Sequence, residues 1–310
     1  PQDMSKFRIG VDIGGTKIEA AALDRNGAFA VRRRIATPQN DYPAALDSIV
    51  GLVQSVETEI GERSPAGFGI PGTISPATGV VKNAYNSPFN GHPLDRDIAD
   101  RLGRPIRMMN DANCFALSEA IDGAAAGAGI VFGVILGTGC GGGIVINGHP
   151  VRGLNAIAGE WGHNPLPWLG AMDQPARSCS CGKTGCIETY LSGTGFAAHH
   201  NAATGLALAA QEIVDLAAQG DEAARTSFDQ YQDRLARALA SIINVLDPDV
   251  VVLGGGMSNV SDLYATVPER WADWVFSDRV ETRLVPPKFG DSSGVRGAAW
   301  LWPDDAETAG

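Results

Sequence analysis

The spacing of apolar and polar positions along the chain predicts strand hairpins followed by helices. Residues 7–24 hold two apolar, β-rich runs around a glycine pair and end in a polar turn, which is the pattern of a hairpin. Between Tyr42 and Ile60, apolar residues recur at helical spacing and stop at Gly61, which predicts a helix. "AGFGIPG" then reads as a short strand that closes in a turn.

The same order returns in the second half of the chain. "GIVFGVILGTGCGGGIVINGHPV" reads as strand, glycine loop and strand, and its Asn147-Gly148 pair is a strong hairpin signal. Residues 223–247 carry a long amphipathic helical pattern, "PDVVVLGGGMS" reads as a buried strand, and "SSGVRGAAWLW" begins a last helix. Hairpins followed by helices, twice over, predict an α/β protein of two lobes.

We place the boundary between the lobes in the stretch "DGAAAGAG" at residues 122–129. Residues 1–121 together with 292–310 then form a small N-terminal lobe, because the final helix is expected to return to it. Residues 122–291 form a large C-terminal lobe.

Composition narrows the classes of partner. The 310 residues are 44% hydrophobic and 19% charged, as in a globular protein. The net charge of −11 disfavours nucleic acid, and the one basic cluster, residues 32–34, reads as a solvated strand end. The sequence offers neither a run long enough to span a bilayer nor the pattern of a signal peptide at "PQDMSKFRIG". We therefore expect a cytoplasmic protein that binds no membrane.

Three of the five cysteines lie within eight residues, at Cys179, Cys181 and Cys186. In a reducing compartment such a cluster is more often metal-binding or catalytic than a disulfide. His163 stands sixteen residues before Cys179, and three thiolates with one imidazole satisfy tetrahedral zinc. The C-x-C spacing is tighter than the usual spacing of zinc ligands. The other two cysteines, Cys114 and Cys140, have apolar or glycine-rich neighbours and read as packing residues.

Three glycine loops follow predicted strands: "DIGGTK" at 12–17, "GTGCGGG" at 137–143 and "GGGM" at 254–257. Glycine lets the backbone approach a phosphate closely and direct its N–H groups at the oxygens. Each loop alone could equally be a tight turn without a ligand. None matches the P-loop or the dinucleotide fingerprint. Three together favour a nucleotide held between lobes, and therefore a kinase.

A kinase that phosphorylates an alcohol needs a carboxylate to accept the hydroxyl proton. Asp111 suits this role because it lies in a polar turn between a strand and a helix, flanked by Asn110 and Asn113. The alternative is that Asp111 only caps the following helix. From the local sequence, the cap is the more common role. "GEWGHNPLPW" adds Glu160 and His163, which are three residues apart and can share one side of a turn.

In this order and over nearly the whole chain, "DIGGTK", "NDAN", "GTGCGGG", "GEWGH" and "CSCGKTGCIE" resemble the ROK family of bacterial sugar kinases. The resemblance implies a two-lobe, actin-like fold of the hexokinase and Hsp70 superfamily, with ATP, Mg²⁺ and sugar in the cleft and a structural Zn²⁺ beside the sugar. It makes Asp111 the general base and His163, Cys179, Cys181 and Cys186 the zinc ligands.

The resemblance also assigns binding residues by position. The implied sugar contacts are Gly72, Asn83, Asn110, Asp111, Glu160, His163 and Glu188. The implied nucleotide contacts are Gly14, Gly15, Thr16 and Lys17, with Asp12 near magnesium, then Gly137, Thr138 and Gly139, and the adenosine loop Gly254, Gly255 and Gly256. We also expect a homodimer, the usual symmetric assembly.

The motifs "GTISPATGVVKNAYN", "AGEWGHNPLPW" and "GDSSGVRGAAWLW" resemble the fructokinase (mannofructokinase) branch. We therefore expect transfer of the ATP γ-phosphoryl group to the 6-hydroxyl of fructose, with mannose as a further candidate. The alternatives are an N-acetylglucosamine kinase, a class that tends to read Phe in place of Trp161, or a glucokinase. An inactive, sugar-responsive binding protein is the alternative from another class. Repression of transcription is not expected, because "DIGGTK" begins at residue 12 and leaves no room for a helix-turn-helix.

Overall fold

The computed structural model of the chain describes residues 5–84 and 87–303, which fall into two compact units. Unit 1 contains residues up to 126, residues 148–158 and residues from 291 onwards. Unit 2 contains residues 127–147 and 159–290. The two lobes drawn from the sequence put 148–158 in the C-terminal lobe, and that division stays a prediction. Tyr85 and Asn86, which end one fructokinase-like motif, lie outside the described residues.

The elements agree with the predicted order. The strands are β1 (Phe7–Ile13), β2 (Lys17–Asp24), β3 (Phe29–Ala36), β4 (Ala66–Ile70), β5 (Thr73–Ile74), β6 (Val81–Lys82), β7 (Arg107–Asn110), β8 (Ile130–Leu136), β9 (Cys140–Ile146), β10 (His149–Pro150), β11 (Val250–Gly254) and β12 (Arg283–Val285). The helices are α1 (Tyr42–Ile60), α2 (Leu94–Leu102), α3 (Asp111–Ile121), α4 (Glu188–Leu191), α5 (Gly193–Thr204), α6 (Ala210–Ala218), α7 (Glu222–Leu246), α8 (Leu263–Trp271) and α9 (Ser293–Trp300).

Two five-stranded mixed sheets repeat one topology. The first has the order β3-β2-β1-β4-β7 and the second the order β10-β9-β8-β11-β12. In each, a hairpin (β1 with β2, β8 with β9) is extended by a parallel strand, β4 or β11. The predicted hairpins and the α/β class are therefore confirmed. Asn147 and Gly148 both have positive φ, at 50° and 76°, as a tight hairpin turn between β9 and β10 requires.

Helix α1 has the predicted bounds, and its ends explain them. The side chain of Asp41 accepts a hydrogen bond from the amide of Ala44, which satisfies an N–H group that has no partner within the helix. Gly61 ends the helix at φ 76°, a left-handed conformation that glycine adopts without a Cβ penalty. The face between these ends is apolar and buried against the first sheet.

Helix α9 packs on the first sheet of unit 1 at unusually short distances between backbones. A Cβ at Gly10 would lie 1.9 Å from the carbonyl oxygen of Val295, and one at Gly67 would lie 1.9 Å from that of Ala298. On the other side, a Cβ at Gly297 would lie 1.7 Å from the carbonyl oxygen of Cys114 in α3. These glycines allow α9 to fit between the sheet and α3, so the last described helix completes the core beneath β1.

The basic cluster at residues 32–34 lies on β3 with exposed side chains, as a solvated strand should. It is also paired: Arg32 and Arg34 both bind the carboxylate of Glu19, which is 3% exposed, and Arg33 binds Glu59. Burial acts to raise the pKa of Glu19, but the hydrogen bonds and charges of the two guanidinium groups outweigh it and lower that pKa.

Within residues 5–84 and 87–303, no helix combines the length and the apolar character that crossing a bilayer needs.

Candidate active site

The first glycine loop, residues 14–16, turns between β1 and β2 and begins two residues after Asp12. The amide of Gly14 donates to the carbonyl oxygen of Lys17 at 2.9 Å, which closes the turn. Burial raises the pKa of Asp12 to about 7, and the nearby carboxylate of Asp111 contributes to the rise. A buried carboxyl group facing a second carboxylate is a place where a divalent cation would be stabilised, because the cation offsets both charges. The residues therefore fit the Mg²⁺ that the sequence implies beside Asp12.

Asp111 is the first residue of α3, one position after the cap. The side chain of Asn110 is the N-cap and accepts from the amide of Ala112 at 2.9 Å. Because Asn110 caps the helix, the capping role that Asp111 could have had is taken by its neighbour. A carboxylate in the first turn is also favoured by the helix dipole. The Oδ1 of Asp111 also accepts from the amide of Ala112 at 2.7 Å, so its carboxylate lies at the start of α3 beside the cap.

The structure brings Gly72, Asn83 and Asn110 together next to Asp111 in unit 1. The Nδ2 of Asn110 donates to the carbonyl oxygen of Gly72 at 3.1 Å. Gly72 has φ 70°, and a Cβ there would lie 2.2 Å from the carbonyl oxygen of Lys82, so no other residue fits. Asn83 has φ 61°, and the residue after it, Ala84, is held on both its N–H and C=O by the side chain of Asn90.

The second and third glycine loops lie against each other in unit 2. Gly255 has φ 76°, and a Cβ there would lie 2.5 Å from the carbonyl oxygen of Leu136 and 3.0 Å from the amide of Gly137. The loop at 254–256 therefore supports the loop at 137–139. Glu188 reaches the same place, because its Oε2 accepts from the amide of Cys140 at 3.0 Å.

His163, Cys179, Cys181 and Cys186 form one cluster, with their ligand atoms all within 4.8 Å of one another. Nδ1 of His163 lies 3.5 Å from Sγ of Cys179, and Sγ of Cys181 lies 3.6 Å from Sγ of Cys186. A tetrahedral zinc site with Zn–S bonds of about 2.3 Å has edges of about 3.8 Å between its ligand atoms. The four residues fit Zn²⁺, and with four protein ligands the site would be closed and structural.

The backbone around the cluster holds the cysteine segment against the "GEWGH" segment. An isolated β-bridge between Ser178 and Thr184 closes the cysteine segment into a tight loop, and a second between Pro165 and Cys186 joins that segment to the residues after "GEWGH". The amide of Ile187 donates to the carbonyl oxygen of Asn164 at 2.8 Å. The amide of Lys183 lowers the pKa of Cys181 to about 7, while burial raises that of Cys186 to about 12.

Glu160 directly precedes a short 3₁₀ helix, Trp161–His163, and His163 ends it, which confirms the predicted turn. Trp161 is buried in the core of unit 2, and its ring packs edge-on against Phe132. Its Nε1 donates to the carbonyl oxygen of Gly141 at 3.0 Å. Trp161 is thus a packing residue that fixes the 3₁₀ helix.

The remaining two cysteines have unreactive thiol groups because both side chains are buried. Cys114 is fully buried and Cys140 is 5% exposed. Burial raises the pKa of both thiols well above the usual range, so both stay protonated near neutral pH.

Sequence reasoning missed the residues that support the site from outside its motifs. Besides Asn90, these are Thr37 and Gln39, which contact the first glycine loop, and Thr194, which contacts the second. Each is a common polar residue in a loop or at a helix end. The one sequence signal for these contacts was the position of the glycine residues in the loops that Thr37, Gln39 and Thr194 contact.

Comparison with known proteins agrees with the motifs. The family model of the ROK family matches residues 8–305. An N-acetyl-D-glucosamine kinase of Salmonella paratyphi C (strain RKS4594) is 42% identical over 296 residues, covering 94% of this chain and 98% of the relative. An N-acetyl-D-glucosamine kinase of Photobacterium profundum is also 42% identical with the same coverage.

Solved structures match as completely. The ROK hexokinase of Thermus thermophilus superposes with a TM-score of 0.85 at 29% identity, covering 95% of this chain and 97% of that one. The ROK glucokinase of Streptomyces griseus, solved in complex with glucose and AMPPNP, gives a TM-score of 0.75 at 31% identity, with coverage of 95% and 98%. The predicted hexokinase-like, actin-like fold class is thereby confirmed. The resemblance drawn from the sequence motifs holds over almost the whole length, and the chain belongs to the ROK family.

Proposed function

We propose that this chain is an ATP-dependent sugar kinase that phosphorylates N-acetyl-D-glucosamine on its primary hydroxyl group. The observation that carries the proposal is the 42% identity over 94% of the chain with N-acetyl-D-glucosamine kinases. This agrees with the alternative raised from the sequence better than with fructose. The fructose prediction depended partly on Trp161, whose surroundings are those of a packing residue.

The base in this proposal is Asp111. Its carboxylate accepts the proton of the attacking hydroxyl group as the oxygen bonds to the γ-phosphorus of ATP and the bond from that phosphorus to the bridging oxygen of ADP breaks. The cap formed by Asn110 supports this role, since it fixes the start of α3 and with it the backbone of Asp111.

The phosphate groups are assigned to the glycine loops of the two units. In unit 1, Gly15 and Thr16 supply backbone N–H groups, and in unit 2 Thr138 and Gly139 do, because the amides of Gly14 and Gly137 donate within their own loops. Residues 254–256 support the second loop and take the adenosine side. Mg²⁺, held by Asp12, would neutralise charge on the phosphate oxygens. These donors are preorganised, so they stabilise developing charge without reorganising during the reaction.

The sugar contacts we propose are Gly72, Asn83, Asn110, Glu160, His163 and Glu188. His163 can serve both zinc and sugar, because Nδ1 faces Cys179 and an imidazole has a second nitrogen. Zinc would act only through structure, by holding Glu188 and the 3₁₀ helix in one place. A homodimer stays a prediction for this chain.

A panel of four sugars tests which sugar the kinase prefers as substrate. We expect kcat/KM for N-acetyl-D-glucosamine to exceed that for glucose, mannose and fructose by about tenfold or more, since a site built to bond an extra polar group disfavours sugars that lack it. Coupled ADP release measures all four under the same conditions. The highest kcat/KM with fructose would restore the fructokinase prediction, and no turnover with any sugar would favour an inactive sugar-responsive protein.

The variant Trp161→Phe tests whether this position selects the sugar. We expect a loss of about 1–3 kcal/mol in unfolding free energy, because the carbonyl of Gly141 loses its donor and the smaller ring leaves a gap. The order of kcat/KM among the four sugars should stay the same. A reversal of that order in Trp161→Phe would show that the indole takes part in specificity.

A further inference from the structure

We propose that Thr37 and Thr194 are positioning residues that hold two phosphate loops in the orientation needed to bind ATP. Each threonine donates a hydrogen bond to a loop carbonyl oxygen, so that the carbonyl points away from the phosphate side. We call the two sets of contacts the carbonyl clamps. The inference rests on the proposed function to the extent that both loops bind the phosphate groups of a nucleotide.

The first clamp follows β3 in unit 1 and binds every carbonyl group of residues 14–16. The Oγ1 of Thr37 donates to the carbonyl oxygen of Gly14 at 2.8 Å. The Nε2 of Gln39 donates to that of Gly15 at 2.7 Å, and the amide of Thr37 donates to that of Thr16 at 3.0 Å. Thr37 is 4% exposed, so its two contacts are buried within the unit, whereas the contact of Gln39 lies at the surface.

The second clamp lies at the start of α5 in unit 2 and repeats the arrangement on residues 137–139. The amide of Gly193 donates to the carbonyl oxygen of Gly137 at 2.8 Å. The Oγ1 of Thr194 donates to that of Thr138 at 2.7 Å, and the amide of Gly137 donates to the carbonyl oxygen of Gly139 at 3.0 Å. All three carbonyl groups of this loop are therefore also engaged.

Fixing these carbonyl groups orients the amides that follow them. A trans peptide is planar, and its C=O and N–H groups point in opposite directions. When the carbonyls of residues 14 and 15 are held on one side, the N–H groups of Gly15 and Thr16 face the other side. In the second loop, the held carbonyl groups of residues 137 and 138 likewise turn the N–H groups of Thr138 and Gly139 to the other side. Among the described residues, these four N–H groups have no hydrogen-bond acceptor, as donors kept for a ligand should be.

The clamps matter because glycine loops reorient easily. Glycine populates positive and negative φ about equally, so a peptide in either loop could turn and present its carbonyl oxygen to the phosphate. A carbonyl dipole facing an anion is repulsive, whereas an N–H group is attractive. The clamp removes this second orientation before the nucleotide binds, which reduces the cost of ordering the loop on binding.

The experiment compares Thr37→Val and Thr194→Val with Thr37→Ser and Thr194→Ser. Valine keeps the shape of threonine and loses the donor, while serine keeps the donor. Thr58→Val and Thr266→Val are matched controls, because both hydroxyl groups donate within helices away from the loops. The readouts are the Kd of AMPPNP with Mg²⁺ by calorimetry, the KM values for ATP and for the sugar, and the unfolding temperature.

We expect each valine variant to raise the Kd of AMPPNP and the KM for ATP by about three- to tenfold, the effect of one hydrogen bond. The KM for the sugar should stay within about twofold of wild type. The serine variants should approach wild type, and the controls should match it. Thr194 is exposed, so Thr194→Val keeps the test valid if Thr37→Val unfolds.

Unchanged AMPPNP affinity in folded Thr194→Val, or equal effects on ATP and sugar, would refute the clamp. So would a wild-type chain that binds no AMPPNP. Failure of the proposed function looks different: a chain that phosphorylates none of the sugars but binds AMPPNP more weakly in both valine variants would retain the clamp and lose the kinase assignment.

Discussion

Asp111→Asn is expected to lower kcat for sugar phosphorylation by about 10²- to 10⁴-fold, the usual contribution of a general base. The amide keeps the shape of the carboxylate but cannot accept the hydroxyl proton. Sugar and nucleotide affinity should change little, because the loss falls on the chemical step. The measurement is kcat by coupled ADP release, with KM for both substrates determined in parallel.

The fold should survive this substitution. The cap of α3 belongs to Asn110, so removing the charge of Asp111 leaves the start of the helix in place. Loss of that charge also removes one of the influences that raise the pKa of Asp12, which offsets part of the helix-dipole stabilisation lost with the carboxylate.

The matched control for the base is Asp100→Asn, an exposed aspartate of α2 in the same unit. It should turn over at the wild-type rate. Turnover of Asp111→Asn within about threefold of wild type would instead show that the proton leaves by another route, and that Asp111 serves only the start of α3.

Cys181→Ser is expected to remove most of the zinc and to destabilise unit 2 by about 4 kcal/mol or more, as loss of a structural metal does. One ligand of four is lost, and the two β-bridges that shape residues 178–186 then depend on weak local contacts. Elemental analysis gives the zinc content, and thermal unfolding gives the stability.

The same variant should raise the KM for the sugar. Without zinc, His163 is no longer tied to the cysteine segment, and Glu188 follows Cys186 by two residues. Ser180→Ala is the control, because residue 180 lies in the same loop with an exposed side chain and belongs outside the ligand set. One zinc per chain in Cys181→Ser would contradict the proposed ligands.

Local signals were enough to predict much of this protein. The bounds of α1 follow from helical spacing between Asp41 and Gly61, both of which act on the nearest turn of the helix. The Asn147-Gly148 turn follows from two residues that accept positive φ. The clustering of His163 with the three cysteines was predictable because the cysteines are close in sequence and the histidine has the matching ligand chemistry.

Other parts depend on contacts between residues that are distant along the chain. The spacing of Gly10, Gly67 and Gly297 reveals nothing until α9 is placed between β1, β4 and α3. That Asn110 and not Asp111 is the N-cap of α3 became clear only from the folded structure. Trp161, which suggested one sugar over another in the sequence, lies in the core.

The chain's own pattern thus settles the family, the α/β class, the hairpins and the chemistry available at each motif, since these follow from periodicity, turn propensity and ligand type over a few residues. Other features depend on the folded arrangement. These are the hydrogen bonds that the loop carbonyl groups accept, the residue that caps α3, and the side chains that face a sugar or the core. Thr37 and Thr194 illustrate the reason. The capacity of a threonine hydroxyl group to form a hydrogen bond is the same anywhere in the sequence. Only the folded chain brings these two within hydrogen-bond distance of the carbonyl oxygens of Gly14 and Thr138.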